Sequence, residues 1–368
     1  MTLVAQAEKP AAIVARSFIR IAPRAEAVVI PICALLAGFA LFSLFLLMVG
    51  KSPVDFYLLV WKAGFSSEFS WQNTLSRVAP LVLAALCVAL PARLGLVVIG
   101  GEGAIVLGGL AAAVAGTAVA GMPVPLGMVS MAIAAMIVGG IWIGAVGALR
   151  IKRGVNETIA SLLMAYIAIA LLNHFVEGPF RDPASLNKPS TVPLTDSLRV
   201  GDMPFLPSHW GILAGVLACI FAWVLIERTT LGFAARIAGD NVRAAQVQGL
   251  PVGRLVIGFT ALGGAFAGLA GYFEVTAVHG SANASLVAGY GYTGILIAFL
   301  ARHNPLAILP VAVLFGGFEA SSGLIQRRME LPDATILVFE GIVFLVILLS
   351  EALYGRLSIF TSAFWEKR

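Results

Sequence analysis

The chain has 368 residues, 60% of them hydrophobic and 12% charged, with a formal net charge of +5 and a mean hydropathy of +0.96. This composition excludes an ordinary water-soluble domain and describes an all-α polytopic membrane protein. The small positive balance comes with no basic-aromatic module, so it marks Arg at a membrane face and excludes nucleic acid as a partner.

The N-terminal segment, 1–26, carries Glu8, Lys9, Arg16 and Arg20 before any useful apolar stretch, so no cleavable leader is evident and this end is expected to stay cytosolic. A bilayer core of about 30 Å asks for about 20 apolar residues per helix, and about ten stretches meet that need. They run from Ala27 to Val49, Thr74 to Leu90, Gly95 to Ala120, Pro125 to Leu149, Thr158 to Val176, Trp210 to Ile226, Leu255 to Val278, Gly289 to Ala301, Pro305 to Ile325 and Ala334 to Leu353. Residues 27–354 thus form the transmembrane domain and 355–368 a cytosolic tail. With both ends inside, most basic residues, among them Arg93, Arg150, Arg236, Arg254 and Arg302, fall on the inner side, as the positive-inside bias requires. Arg327 and Arg328 are the exceptions, and a re-entrant eighth and ninth pair would change that count.

Glycine punctuates the third stretch, where Glu102 stands between Gly101 and Gly103. A carboxylate in lipid costs several kcal/mol unless paired or wet, with estimates from about 2.5 upward. If the helix begins at Gly95, Glu102 lies about 10 Å deep and lines a cavity at a helix break. If it begins at Glu102, the carboxylate merely favours a helix N-terminus at the interface. The cavity placement is the expectation carried forward. On the fifth stretch Tyr166, Asn173 and Glu177 share one helical face, suited either to contact a ring-bearing solute or to bond another helix. Cys33, Cys87 and Cys219 sit in apolar runs without metal spacing and read as packing thiols.

Two outer loops stand apart. Gly50 to Asn73 is aromatic and mixed in charge, and Gly178 to His209 carries six prolines that favour a semi-rigid, extended path. On the inner side, residues 227–254 form a basic, soluble-looking segment. Asp240 is expected to cap a helix of about two turns over Asn241 to Gln248, with Gly249 ending it and Pro251 blocking its continuation. Small residues at Gly264, Gly268, Ala267 and Gly271 in the seventh stretch suit close helix packing.

The second glycine cluster, Gly289 to Gly294 with Tyr290 and Tyr292, opens the short eighth stretch. Counted from the second and seventh spans, the two clusters occupy matching places in halves that cross in opposite directions. By analogy with secondary transporters, interrupted helices so placed point to a midplane substrate site.

The runs Pro80 to Gly103, Gly154 to Ala168, Ala238 to Leu250, Gly263 to Glu274 and Tyr290 to Gly317 together resemble bacterial ABC importer permeases. The similarity is to the nucleoside-type branch of the superfamily that includes ribose and branched-chain amino acid permeases. The resemblance implies a type II-like permease fold with an inverted repeat, in the bacterial cytoplasmic (inner) membrane. It also implies three partners: a second permease subunit, cytosolic ABC ATPase subunits and an extracytoplasmic solute-binding protein. ATP and Mg would be bound by the ATPase subunits, since this chain has no G-x-x-x-x-G-K-[ST] loop and needs no cofactor of its own. By the same resemblance Arg236, Gly239, Asp240, Asn241, Ala244, Ala245 and Gly249 would couple to the ATPase. Glu102, Gly101, Gly103, Tyr166, Asn173, Gly291 and Tyr292 would line the solute path. Val98, Ala104 and Ala165 depart from the family pattern where amides are common, which leaves nucleosides, sugars and other heterocycles open as solutes. The rival class is an ion-gradient-driven secondary transporter with Glu102, Glu177 or Glu274 as cation sites. No paired nucleophile and base suggests an enzyme.

Overall fold

A computed structural model describes residues 10–351 apart from 120, 205, 207 and 333, with side chains from 29 to 350. The terminal basic residues counted toward the inner side, Lys9, Arg16, Arg20, Arg24, Arg356, Lys367 and Arg368, lie outside the described side chains.

Among the described residues the long regular elements are all helices: α1 (Pro10–Met48), α2 (Pro53–Gly64), α3 (Glu68–Ala92), α4 (Gly101–Ala118), α5 (Val124–Arg153), α6 (Glu157–Glu177), α7 (Gly211–Arg228), α8 (Thr230–Asp240), α9 (Val242–Val247), α10 (Val252–Phe273), α11 (Tyr290–Leu300), α12 (Pro305–Met329) and α13 (Thr335–Glu351). Helix α10 runs on through a π-helical turn, Glu274–His279, to Gly280. Of these described helices, 8 are long and apolar enough to cross a bilayer, while Ala284–Leu300 and Thr335–Ser350 are apolar but shorter. Together these 8 and the two shorter ones correspond to the ten expected stretches, the eighth being the shortest. Helix α11 has 11 residues, about 16 Å of rise, and cannot cross alone.

The chain divides into two compact units, one of residues 1–54 with 332–368 and one of Asp55–Leu331. In the first, α1 packs on α13: the rings of Phe42 and Phe339 meet edge-on with centroids 5.2 Å apart, and Gly38 lets Val343 approach.

In the second unit α3 and α10 form the centre. Ser67 caps α3 by accepting the Ser70 N–H at 3.1 Å, and the run Val78–Pro91 is buried along its whole length. Around α10 the small residues expected to pack do so. Gly264 and Gly268 lie directly against Gly139 of α5, Gly268 also meets Gly108 of α4, and a methyl group at any of these positions would overlap the facing backbone. In lipid, apolar contact alone gives helices little reason to associate, so such close backbone approach supplies the dispersion contact that does.

An amide cap and an ion pair fix the junction of α5 and α6. Asn156 accepts the Thr158 and Ile159 N–H groups at 2.9 and 3.2 Å, and Arg150 at the end of α5 pairs with Glu157 at the start of α6 at 3.3 Å. The proline-rich loop follows an extended path clasped to the turn after α10. Thr191 N donates to Ala282 O at 2.9 Å and Leu194 N to Gly280 O at 2.8 Å. Behind it, His209 Nδ1 accepts from Gly211 N at 3.1 Å, so its Nε2–H donates to Ser76 O at 3.1 Å. Burial pushes this histidine below its usual pKa, although the Ser76 contact and nearby carboxylates pull the other way. It is a neutral tether between the loop and α3.

Candidate translocation and coupling sites

The chain between α3 and α4 is not helical. Gly95 takes a left-handed turn at φ +71, and residues 96–99 form neither helix nor strand before the turn at Gly100, so the expectation of a helix from Gly95 is corrected. Two side chains of α6 replace the missing helical hydrogen bonds: Thr158 Oγ1 donates to Val97 O at 2.9 Å, and Ile99 N donates to Ser161 Oγ at 3.0 Å. The β-branched run Val97, Val98, Ile99 suits this path.

Glu102 therefore stands in the first turn of α4, and its side chain is fully buried within the protein. Neither sequence expectation is met in full. Its carboxylate reaches across to the other glycine cluster, accepting the Gly289 N–H at 2.8 Å and the Gly291 N–H at 2.6 Å. These are donors that the N-terminus of α11 leaves without helical partners. The positive end of α11 faces the carboxylate and favours its charge, offsetting part of the cost of burial. Gly289, at φ +88, turns the chain sharply into α11. Gly291 lies so close to the Glu102 backbone that a methyl group would overlap it. The two interrupted crossings matched by position in the sequence thus meet N-terminus to N-terminus, with one carboxylate as the clasp.

Gly101 is packed between Cys87 and Gly291, and Gly103 lies against α6, where a methyl group would come within 2.8 Å of Ala165 Cα. Val98, Ala104 and Ala165, the positions that depart from the family pattern, are all fully buried. On the adjoining surface, Tyr166 is 59% and Tyr292 37% exposed, close enough that Tyr166 and Glu102 both act electrostatically on the Tyr292 phenol. Asn173 and Glu177 are exposed on the same face of α6, whose buried face is Ala160, Ser161, Ala165, Ala168, Leu172 and Val176. Among the described residues Tyr166, Asn173 and Glu177 make no interhelical hydrogen bond. As for the proposed cation sites, Glu102 is engaged by backbone and Glu274 faces His279 at 3.5 Å.

The inner segment folds as two helices, not one. Helix α8 extends to Asp240, and it is Asn241 that caps α9, its Oδ1 accepting the Ala244 N–H at 3.0 Å. The cap assigned to Asp240 is corrected by one residue. Gly249, at φ +76, ends the turn, with Leu250 N donating to Ala245 O at 3.0 Å. Ala245 faces inward and is fully buried, whereas Val247 is 84% exposed; Asn241, Ala244 and Gly249 are exposed as well, and Gly239 is half-buried. Arg236 pairs with Glu227 at 3.0 Å.

Sequence reasoning missed Arg93 and His303. Arg93 donates from its terminal nitrogen to His303 O at 3.0 Å, and the His303 Nδ1 is buried without a hydrogen-bond partner. Burial, with Arg93 and Arg302 nearby, pushes the His303 pKa down to about 4. The signal available was a basic residue just after Pro91, which charge counting had already assigned to the inner face.

Residues 70–348 match the family described as branched-chain amino acid transport system / permease component. The chain is 32% identical to a glucose ABC transporter permease of Haloferax volcanii over 87% of each chain. It is 29% identical to a guanosine ABC transporter permease of Bacillus subtilis, covering 90% of this chain and 95% of the relative. A nucleoside ABC transporter permease of Lactococcus lactis is 25% identical over 87% and 92% of the two chains. No solved structure gives a significant match. With a family match over most of its length and an apolar helix bundle to carry it, this chain belongs to the branched-chain amino acid transport system permease family and is a multi-pass membrane permease subunit of an ABC importer.

Proposed function

We propose that the chain imports a small polar solute, a nucleoside or a related heterocycle or sugar, across the bacterial cytoplasmic membrane, with both termini in the cytosol. Cytosolic ATPase subunits bind ATP and Mg and grip α9. A second permease, identical or homologous, faces this one across the solute path, and an extracytoplasmic binding protein delivers the solute. The observation that carries the coupling role is α9 itself. A helix of 6 residues is too short to persist alone, yet this one is capped at its start, closed by a left-handed glycine, anchored inward by Ala245 and turned outward at Val247. That arrangement suits a rigid knob that another protein holds.

The solute path runs along the exposed face of Tyr166, Asn173 and Tyr292, with Glu102, Gly101, Gly103 and Gly291 fixing the helix ends behind it. Two phenol rings beside an amide fit a flat or hydroxylated ring that stacks and accepts hydrogen bonds. The relatives named for glucose, guanosine and nucleosides support that solute range. The test is Ala245→Glu and Gly249→Pro in the reconstituted complex. Both are expected to abolish solute-stimulated ATP hydrolysis while membrane insertion persists. Wild-type stimulation in both variants would refute the docking role.

A further inference from the structure

Helix α11 is held at both ends by side chains from elsewhere. Its N-terminus is clasped by Glu102. At its other end Arg302 and His303 follow one another at φ 52 and φ 55, a left-handed pair unfavourable for residues with side chains. That turn is closed by His303 N donating to Ala298 O at 2.7 Å and by the Arg93 guanidinium on His303 O at 3.0 Å.

Arg93 is also where the inner segment rests. Gly239, in the last turn of α8 just before α9, lies directly on the Arg93 carbonyl and 3.1 Å from Leu94 Cα, measured from where a methyl group would stand. Glu227 and Arg236, the ion pair that bridges α7 and α8, both act electrostatically on the Arg93 guanidinium. One residue therefore touches three parts of the chain. Its backbone receives α8, its side chain holds the turn after α11, and the irregular run after Gly95 leads from it to Glu102.

We infer that Arg93 is a positioning residue for ATP-driven transport, tying the turn after α11 to the turn on which the α8–α9 segment sits, so that displacement of α9 moves α11. The inference rests on α9 being the ATPase docking element. A short helix fixed at both ends moves as one body, and movement at its inner end is then felt at the Glu102 clasp and at Tyr292. The bond is to a backbone oxygen, so the requirement is for a donor of the right reach at position 93 and for close contact at Gly239.

The experiment uses the complete importer reconstituted in vesicles, with nucleoside and glucose as the solutes offered, and reads ATP hydrolysed per solute taken up. For Arg93→Gln we expect that ratio to rise at least tenfold while the ATPase still co-purifies and hydrolyses ATP. Arg93→Lys, which keeps a donor and a charge, should recover part of the loss. Gly239→Ala, which strains the same joint from the other side, should raise the ratio as well. A purely structural role would lower the amount of complex without changing the ratio. If Arg93→Gln does not assemble, the lysine and alanine variants decide. A wild-type ratio in the assembled variants overturns the inference. Loss of ATPase co-purification from these variants overturns it too, whereas retained docking in Ala245→Glu would instead count against the reading of α9.

Discussion

Removing the Glu102 carboxylate is the most direct test of the central clasp. In Glu102→Ala the Gly289 and Gly291 amides, which now donate at 2.8 and 2.6 Å, lose their acceptor, Gly291 in a buried site and Gly289 in a part-buried one, so the larger loss is expected at Gly291. A buried N–H left unpaired costs about 1–3 kcal/mol. Each amide should therefore lose about 5- to 150-fold of its protection against hydrogen exchange, at about 1.4 kcal/mol per tenfold. Glu102→Gln keeps one carbonyl oxygen but turns an NH2 toward the other donor, so only one of the two amides should exchange faster. The assay is deuterium uptake in the peptide spanning 286–293 in detergent or nanodiscs, read beside solute uptake per inserted molecule. Exchange should rise in the order wild type, Gln, Ala, and uptake should fall more than insertion does. Unchanged exchange in a folded Ala variant would show that α11 does not depend on this carboxylate.

Two further expectations concern the inner face. Asn241→Ala removes the α9 cap and should cost about 1 kcal/mol of local stability, weakening solute-stimulated ATP hydrolysis, whereas Asp240→Ala should leave it near wild type; the reverse order, measured in the reconstituted complex, would restore the cap to Asp240. His303, held at a pKa of about 4 against an ordinary 6.5, is kept neutral by burial beside Arg93 and Arg302. The unfolded chain takes up a proton near pH 6.5 and the native one only near 4, so the stability this site contributes is whole above about pH 6.5 and falls as the pH drops toward 4, by up to about 3 kcal/mol. Thermal unfolding midpoints at pH 7 and 4.5 should differ less in His303→Gln than in the wild type, and equal differences would contradict the buried, neutral placement.

The spans were legible because lipid imposes a length and an apolarity that few other contexts require. So was the packing of Gly264 and Gly268, since small residues at i and i+4 have one obvious use in a membrane helix. The errors came where polar partners lie far away in sequence. Leu96, Val97, Val98 and Ile99 look like the start of a helix because they are apolar, and nothing local shows that Thr158 and Ser161, some sixty residues on, satisfy a non-helical backbone there. Asp240 and Asn241 are both good caps. The choice between them is decided by α8, whose amphipathic run Thr230–Asp240 occupies Asp240 as its last residue and leaves Asn241 to cap α9.

Glu102 shows why the positional match between the glycine clusters carried further than the depth estimate made from either one. Depth was reckoned along a single helix, as though the carboxylate had to find water or an interface. The opposing half supplies what water would have supplied: two amide donors and the positive end of a second helix. A carboxylate can be fully buried there because it joins two helices that begin inside the protein. Each of the two helices leaves its first amides without helical partners, and the carboxylate meets two of those at the start of α11, where the irregular run 280–289 ends as 95–100 does at α4. Those runs are also the parts of the bundle least bound by helical hydrogen bonds. A movement delivered at Arg93 or at the proline-rich loop would therefore be absorbed first beside Tyr292, on the face we propose for the solute path.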